Sequence, residues 1–384
     1  MNQIMLKIKR ISIFLMPVWL LIYPVNAKHF GPFKSSFGPI IVEKMSGPFH
    51  HPWALAFLPI KNTYLVTERI GSLRLVRNGR ISKPISGVPN VWASGQGGLL
   101  DVVVDQNFNH NNRIFFCYSE KVGKEKGRTT LATGLLMLGD DAPSIQNMRI
   151  LFRQYPATRE TNHFGSRIVL TDDGKLFLTL GDRGNRHLVQ DLSNHFGKVI
   201  RINKDGTVPK DNPFLGQNNA LPEIWSYGHR NPQGAVKKNN KNLFYTVSHG
   251  AAGGDEINLL QPGKNFGWPD VSYGTHYDGR PFPHATRSDV VPPLLFWDPS
   301  IAPSGAAFYE GIKFKSWNGN LFVGALRGQA ISRILVKDGT AKEVERMLSG
   351  KFGRIRDVRI GPDDTIWFST DYENGGIYRI KPYM

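Results

Sequence analysis

KLFLTLGD (175–182) is a short aromatic and aliphatic run that ends on a polar residue, and the chain contains six such runs. The other five are TYLVTE (63–68), RIFFCYSE (113–120), NLFYTVSH (242–249), NLFVGALR (320–327) and TIWFSTD (365–371). The residues at their centres lie 45 to 78 positions apart. Self-similarity of this kind is typical of propellers and other closed arrays of strands.

A second recurrent strand precedes each run and a third follows it. The preceding strands are rich in small and branched residues, as a crowded innermost strand requires; they are PWALAFL (52–58), LLDVVVD (99–105), SRIVLTDDG (166–174), QGAVKKN (233–239), SGAAFYEG (304–311) and RDVRIGPDD (356–364). The following strands are SLRLV (72–76), TGLLML (133–138), GKVIRI (197–202), EINLL (256–260), ISRILV (331–336) and GIYRI (375–380), read from the same spacing.

Strand, turn, strand, loop and strand therefore repeat around the chain, and almost nothing reads as an amphipathic helix. The pattern predicts an all-β protein, a six-bladed β-propeller. A β-sandwich is the competing all-β interpretation, but a sandwich has about seven to nine strands and more than that are visible here.

Residues 1–27 resemble a secretory signal peptide. Basic residues stand at positions 7, 9 and 10, an apolar stretch runs from Ile11 to Val25, and Val25-Asn26-Ala27 resembles a cleavage site. The apolar stretch is shorter than the ~20 residues of a membrane-spanning helix. We expect cleavage after this segment, a periplasmic or secreted protein with no stable membrane insertion, and one catalytic propeller domain over residues 28–384; an uncleaved anchor is the alternative.

The chain is strongly basic. Its formal charge is +17, or +14 once the three basic residues of the signal segment are removed. No basic cluster interleaved with aromatic residues is present, so we expect no nucleic-acid partner but a long-range preference for anions. Cys117 is the single cysteine and lies within a predicted strand, where we expect a small buried apolar residue.

The geometry of a blade predicts where a site would form. The first strand of a blade begins, and the second ends, on the same face, so residues before each innermost strand should join the polar ends of the six runs. Together they predict an anion-binding pocket with one residue able to move a proton near neutral pH. Its members are Gln96, His163, Arg230, Asn231, Arg327, Arg354 and Arg356.

Three segments contain the strongest candidates for functional residues. His163, at a strand entrance, is a candidate general base, with His229 and His249 as rivals on the same face and a packing role as the alternative. The Gly-rich turn from His249 to Glu256 exposes carbonyl groups beside carboxylates, which suits calcium but also fits an ordinary turn. Arg230 presents a planar fork of donors suited to carboxylates, and an inter-blade tie is its alternative role.

Taken together, these segments resemble the soluble pyrroloquinoline quinone (PQQ)-dependent sugar dehydrogenases, particularly the exported aldose sugar dehydrogenases of bacteria. The resemblance covers roughly residues 38–381. It rests on motifs that occur in the family's order: GQGGLLDVVVD (95–105), NHFGSRI (162–168), LTLGDRG (178–184), YGHRNPQG (227–234), GGDEINLL (253–260), GKNFGWP (263–269), IAPSGAAFY (301–309) and GRIRDV (353–358).

The resemblance implies a role for each matching position. His163 matches the base that takes the proton of the anomeric hydroxyl. Cofactor contacts are implied for Gln96, Arg230, Asn231, Arg327, Arg354 and Arg356. Backbone carbonyls at Gly250 and Ala251 match ligands of the cofactor's calcium, and Glu256 with the carbonyl of Phe266 matches a second calcium site. Sugar contacts are implied for Asn162 and Trp297.

Two positions depart from the family. Relatives commonly carry proline at the position of Ala251 and tyrosine at that of Phe266. Both positions contribute main-chain oxygens, so the side-chain changes bear on calcium affinity rather than on the presence of the ligands.

The implied function is oxidation of aldose sugars at C1 to lactones. Hydride would pass to calcium-bound PQQ with His163 as general base, and the electrons would leave to an unidentified external acceptor. A calcium-dependent propeller lactonase and a non-catalytic exported binding propeller are the alternatives. The acidic ends of four runs, Glu68, Glu120, Asp182 and Asp371, are interpreted as structural or outer-rim residues.

Overall fold

The computed structural model describes residues 28–139, 142–238, 243–282 and 287–383, which form six antiparallel sheets. The predicted signal segment, 1–27, lies outside the described residues. Helix is limited, within these ranges, to the four-residue α1 (Phe108–Asn111) and two 3-10 turns, Arg186–Leu188 and Lys315–Trp317. None of them is long and apolar enough to cross a membrane.

Five sheets are four-stranded meanders whose strands follow chain order outward from the centre. Blade 1 contains β3 (Pro52–Phe57), β4 (Thr63–Glu68), β5 (Ser72–Arg77) and β6 (Arg80–Ile81). Blade 2 contains β7 (Leu99–Val104), β8 (Arg113–Val122), β9 (Lys126–Met137) and β10 (Ser144–Arg153). Blade 3 contains β11 (Ile168–Leu170), β12 (Lys175–Thr179), β13 (Lys198–Asn203) and β14 (Ile224–Tyr227). Blade 4 contains β15 (Asn231–Lys238), β16 (Leu243–His249), β17 (Asp255–Leu259) and β18 (Leu295–Trp297). Blade 5 contains β19 (Pro303–Phe308), β20 (Asn320–Ala325), β21 (Ile331–Lys337) and β22 (Thr340–Met347).

Blade 6 joins the two ends of the chain. It contains β23 (Ile355–Ile360), β24 (Ile366–Thr370) and β25 (Gly375–Pro382), followed by the amino-terminal strands β2 (Ile40–Phe49) and β1 (His29–Phe33). Strand β2 pairs antiparallel with β25, with Ile40 opposite Pro382 and Glu43 opposite Arg379. This closure was not predicted from the sequence, and it ties the last blade to the start of the chain.

The first strands of successive blades contact one another in a closed ring, from β3 through β7, β11, β15, β19 and β23 back to β3. The predicted six-bladed propeller is therefore confirmed. The aromatic residues of the six recurrent runs fill the space between blades. Phe177 of blade 3 stacks on Phe244 of blade 4 at 4.4 Å between ring centroids, and Tyr64 of blade 1 meets Trp367 of blade 6 at 5.4 Å. Cys117 is buried in β8, as expected.

A buried ion network occupies the axis where the innermost strands meet. The Asp101 carboxylate accepts hydrogen bonds from Arg167 at 3.1 Å and from Arg359 at 2.8 Å. The Asp357 carboxylate accepts one from Arg359 at 2.9 Å. The guanidinium of Arg167 lies 4.3 Å from the ring of Trp53. Because these groups come from blades 1, 2, 3 and 6, the network links blades across the axis.

Candidate active site

A cavity of about 360 Å³ opens beside this axis. Five of the residues that the blade geometry brought together line it, namely Gln96, Asn231, His249, Arg354 and Arg356. The cavity is also lined by His51, Arg69 and Tyr372, which were not assigned from the sequence, and by Asp371, which was interpreted as a structural or outer-rim residue. Part of the predicted polar pocket is thus present, but His163, Arg230 and Arg327 are not among the residues that line it.

His163 is held by a buried carboxylate. Its Nδ1 lies 2.7 Å from Oδ1 of Asp182, and its backbone N–H donates to the side-chain oxygen of Gln96 at 2.8 Å. The side chain of His163 is 13% exposed and that of Asp182 only 2%. Because a carboxylate accepts hydrogen bonds, Nδ1 carries the proton and Nε2 is the ring nitrogen left to act as a base.

The Asp182 carboxylate is stabilised in its charged form. Its Oδ2 accepts a hydrogen bond from the indole of Trp268 at 2.8 Å, and its Oδ1 accepts one from the backbone of Gly184 at 2.8 Å. Burial alone would raise the pKa of this carboxyl, but the His163 hydrogen bond, the charge of Arg230 and the backbone donor lower it below its usual range. Asp182 is therefore a buried residue that holds the ring of His163, so its interpretation as an outer-rim position is wrong.

The two rival histidines have different surroundings. His229 is buried, stacks on Phe266 at 4.7 Å and lies 2.9 Å from the hydroxyl of Ser226. Burial lowers the pKa of His229 to about 3. His249 donates through Nε2 to the carbonyl of Pro303 at 2.6 Å, and burial lowers its pKa to about 4. Neither ring is hydrogen-bonded to a carboxylate, so the geometry favours His163 as the base.

Arg356 and Arg354 meet at a second carboxylate, Asp371. Arg356 donates to Asp371 at 3.1 Å and to the side-chain oxygen of Gln233 at 3.0 Å. Arg354, whose side chain is 43% exposed, lies 3.9 Å from the same carboxylate. Burial opposes the charge on Asp371, but Arg356, His51 and Arg69 outweigh it and hold the pKa well below its usual range. The outer-rim interpretation of Asp371 is therefore wrong, because this residue lines the cavity.

Arg230 reaches the same wall as His163. Its backbone carbonyl accepts the N–H of Asp182 at 2.8 Å, and its guanidinium lies 5.3 Å from the ring of Trp268. One terminal nitrogen donates to the hydroxyl of Tyr277 at 3.0 Å. Among the described residues, Nε of Arg230 is buried without a hydrogen-bond partner, and so is Oδ1 of Asn162, the residue before His163. Such atoms call for a ligand or water, because buried polar groups are otherwise almost always paired.

The long segment between β17 and β18 supplies part of this wall. Trp268 contacts Asp182 and Arg230, and Tyr277, although 79% exposed, binds Arg230. Neither aromatic residue was predicted from the sequence to belong to the site. The signal that could have found Trp268 is its place in the GKNFGWP motif.

The Gly-rich turn is clamped by Asp255. Its Oδ1 accepts the N–H of Gly250 at 2.9 Å, and its Oδ2 accepts the backbone of Ile301 at 2.8 Å and of Ala302 at 2.9 Å. A side chain at Gly250 would place its Cβ 2.1 Å from the carbonyl oxygen of Gly253. Only glycine therefore fits at this position. The Asp255 carboxylate is occupied by hydrogen bonds to this turn and to the residues just before β19.

Two of the candidate calcium ligands, Ala251 and Glu256, accept hydrogen bonds from the protein. The carbonyl of Ala251 accepts a hydrogen bond from Thr275 at 3.1 Å. Glu256 accepts one from the side chain of Asn258 at 2.9 Å, and no salt bridge to it is found within the described ranges. Burial, with the nearby Asp255 charge, raises the pKa of Glu256 to about 7 against the opposing Asn258 hydrogen bond. No group of three or more His, Cys, Asp or Glu side chains that could hold a metal occurs in the described part of the chain.

Arg327 and Trp297 lie in a neighbouring cleft of about 330 Å³ rather than on the cavity. The cleft adjoins the cavity, since Leu326 lines the cavity and Arg327 the cleft. The indole of Trp297 is buried and donates to Glu343 of blade 5 at 2.9 Å. The structure therefore does not bring these two residues together with the other predicted site residues.

Four of the charged or titratable residues that were not assigned to the site from the sequence share a signal. His51 directly precedes β3, Arg69 directly follows β4, Asp371 directly follows β24, and Asp182 follows β12. These are the two kinds of position that the blade geometry had singled out.

Comparison with known proteins identifies the family. A family model for glucose and sorbosone dehydrogenases matches residues 49–379. The chain is 42% identical over 346 residues to the aldose sugar dehydrogenase YliI of Escherichia coli, spanning 89% of this chain and 92% of that protein. It is 28% identical over 400 residues to quinoprotein glucose dehydrogenase B of Acinetobacter calcoaceticus, with 83% of this chain and 82% of that protein covered.

Solved structures give the same result. The apo-form of the soluble aldose sugar dehydrogenase from Escherichia coli superposes with a TM-score of 0.86 at 41% identity, covering 90% of this chain and 100% of that one. The PQQ-bound form of an aldose sugar dehydrogenase from Streptomyces coelicolor superposes with a TM-score of 0.75 at 25% identity, covering 89% and 98%. The resemblance drawn from the motifs is confirmed: the chain belongs to the glucose/sorbosone dehydrogenase family of sugar-oxidising enzymes.

Proposed function

We propose that this protein oxidises aldose sugars at C1 to lactones, with PQQ and Ca²⁺ as cofactors, and passes the electrons to an external acceptor. The observation that carries the proposal is the His163–Asp182 pair, which lies beside the buried Arg230 and is hydrogen-bonded through His163 to Gln96 of an arginine-lined cavity. Family membership and the PQQ-bound structural neighbour support the same conclusion.

The cavity fits PQQ by charge, and an unpaired atom of Arg230 supports the same ligand. PQQ carries three carboxylates, and Arg69, Arg354 and Arg356 line the cavity. Nε of Arg230 is buried and, within the described ranges, has no protein acceptor, so a ligand oxygen would satisfy it. We propose that Gln96, Arg230, Asn231, Arg354 and Arg356 hold the cofactor, and that Arg327 reaches it from the neighbouring cleft.

The residues of the chain have separate roles in the proposed reaction. When bound, PQQ supplies a quinone that accepts hydride, and Ca²⁺ supplies Lewis-acid polarisation. His163 accepts the proton of the C1 hydroxyl at Nε2, while Asp182 holds the ring through Nδ1 and stabilises the imidazolium that forms. Asn162 contributes a buried oxygen for a sugar hydroxyl. Loss of the hydroxyl proton and the C1 hydrogen leaves a carbonyl at C1, which is the lactone.

Reconstitution of the purified protein tests this function. With a panel of aldoses and an artificial acceptor, activity should appear only when PQQ and Ca²⁺ are both added. A lactone-hydrolysis assay without PQQ separates the propeller lactonase, which would be active there. A PQQ absorbance titration separates the non-catalytic binding propeller, which would not turn over sugar. Failure to oxidise any aldose at saturating PQQ and Ca²⁺ would remove the enzyme assignment.

Calcium binding near Glu256 should depend on pH. Since the pKa of Glu256 is raised to about 7, the carboxyl is largely protonated at pH 6 and charged at pH 8. A cation stabilises only the charged form, so Ca²⁺ should raise Tm more at pH 8 than at pH 6, as measured by thermal unfolding.

Replacing Glu256 is the control for this effect. Glu256→Gln should abolish the difference between the two pH values, whereas Glu310→Gln, at an exposed position, should retain it. An unchanged calcium response in Glu256→Gln would show that this carboxylate is not a ligand. The main-chain carbonyl ligands proposed at Gly250, Ala251 and Phe266 would then need a separate test.

We also propose that the protein acts outside the cytoplasm, in the periplasm or after secretion. The support is the signal-like segment of residues 1–27. Strand β1 starts at His29, so the mature chain would begin at the edge of blade 6.

A further inference from the structure

A second imidazole–carboxylate pair lines the same cavity. Nδ1 of His51 lies 2.8 Å from Oδ1 of Asp371, and both residues contribute to the cavity wall. The side chain of His51 is 28% exposed and that of Asp371 is 7% exposed. Neither residue has a role in the mechanism proposed above.

The carboxylates of the two pairs belong to opposite blades of the propeller. Asp182 follows the second strand of blade 3, and Asp371 follows the second strand of blade 6. Blades 3 and 6 are three steps apart in a ring of six, so equivalent positions in them face each other across the axis. One carboxylate holds His163 and the other holds His51, so the fold holds two imidazole rings by carboxylates from opposite blades.

A line of titratable groups leads from His51 toward solvent. The ring of His50 lies 5.1 Å from that of His51, between centroids. Nε2 of His50 is 3.9 Å from the carboxylate of Glu373, whose side chain is 77% exposed. The wall around His163 differs, because its partner Asp182 is covered by Trp268. The His51 side therefore has a line of titratable groups that ends at an exposed carboxylate.

The proposed reaction produces two protons. Oxidation of an aldose at C1 removes two hydrogens, and His163 takes the one from the hydroxyl. The C1 hydrogen leaves with its bonding electron pair. When those two electrons pass to an external acceptor that takes up electrons only, such as a one-electron metal complex, that hydrogen remains as a second proton, which must leave the cavity.

We propose that the His51–Asp371 pair accepts this second proton and passes it through His50 and Glu373 to solvent. This inference rests on the proposed function and adds to it a role for His51. Arg356, Arg354 and Arg69 face Asp371 and keep the carboxylate charged, so His51 is the member of the pair that takes up the proton. The other charged groups around the line are Glu68, which accepts the backbone N–H of His50, and Glu373.

His51→Asn is the variant that isolates the proton. His51 has a left-handed backbone with φ of 48°, which asparagine tolerates better than most residues. The asparagine amide can still donate to Asp371 where Nδ1 does, but it cannot accept a proton. The variant therefore keeps the hydrogen bond and removes only the base, and His51→Gln is a second variant with a different reach.

The two half-reactions are measured separately by stopped flow. PQQ-loaded protein is first mixed with aldose without an acceptor, and the reduced protein is then mixed with an artificial acceptor. In His51→Asn the first step and the PQQ affinity should be unchanged, while the second step should slow by about 10²-fold. A pH indicator in weak buffer should show that release of the second proton lags by the same factor.

The possible outcomes distinguish failure of the proposed proton transfer from failure of the proposed function. His163→Asn should show the reverse pattern, with a slow first step and a normal second one. If His51→Asn and His51→Gln both reoxidise and release protons at the wild-type rate, His51 has no part in proton transfer. If PQQ affinity alone falls, the pair only positions Arg356. If the wild-type protein shows no reduction by any aldose, the proposed function fails and this inference fails with it.

Discussion

Turnover of aldose is expected to fall by about 10²–10⁴-fold when His163 is replaced by asparagine, because a positioned general base contributes a factor of that size. His163 also has a left-handed backbone, with φ of 51°, so asparagine preserves the local fold. Its amide can donate to Asp182 in place of Nδ1, while the atom that accepts the substrate proton is lost. Steady-state kinetics with saturating PQQ and Ca²⁺ measure the effect.

The same chemical change elsewhere is the control. His110→Asn alters an exposed histidine of α1 and should leave turnover unchanged. PQQ affinity, measured by absorbance titration, should be similar in all three proteins, since His163 is proposed to act on the substrate. Near-wild-type turnover in His163→Asn would remove this residue from the mechanism.

The largest loss of stability is expected from Arg167→Met. Arg167 is fully buried at the axis and lies 3.1 Å from both Asp101 and Asp357. Without it, two buried carboxylates share the single guanidinium of Arg359. Removal of one partner from a buried ion network costs about 3–5 kcal/mol, because the remaining charge is left uncompensated. Equilibrium denaturant unfolding should show a free energy of unfolding lowered by this amount.

A surface ion pair provides the comparison. Arg159 and Glu125 lie 2.9 Å apart, with side chains 73% and 66% exposed. Arg159→Met should change the free energy of unfolding by no more than about 1 kcal/mol, since water already screens this pair. Equal losses in the two variants would mean that the axial network does not hold the blades together.

The strands of the propeller were predictable because each blade repeats the same local pattern. Every aromatic run became a second strand, and the small-residue segments before them became the innermost ring. The closure of blade 6 was not predictable in this way. Strand β2 lacks the recurrent pattern, and its partner β25 is more than 300 residues away, as the pairing of Ile40 with Pro382 shows.

The position of the site in the fold was predictable from the sequence, but only some of the residues that form it were. His163 and four of the cavity-lining residues, Gln96, Asn231, Arg354 and Arg356, were found from where they lie in a blade. Asp182 and Asp371 were misassigned because a carboxylate at a strand end has the same sequence signature whether it binds an outer arginine or orients a histidine. Glu68 and Glu120 show the first case, with Arg74 and Arg128 as partners at 2.6 and 2.7 Å.

Side-chain direction explains the remaining differences. Arg327 and Trp297 belong to the expected strand ends, yet they line the adjoining cleft. Trp268 approaches Asp182 from a long segment between strands, and its contact depends on a path that no local pattern specifies. Contacts of this kind join positions 86 residues apart in the chain.

Anaerobic mixing of PQQ- and Ca²⁺-loaded protein with one equivalent of aldose tests the central claim most directly. Absorbance of the bound cofactor reports reduction in a single turnover, free of any acceptor. We predict that the wild-type protein reduces its cofactor and forms one equivalent of lactone, and that His163→Asn binds the cofactor equally well but reduces it about 10²–10⁴-fold more slowly. Equal single-turnover rates in the two proteins, or no reduction in the wild type, would contradict the account.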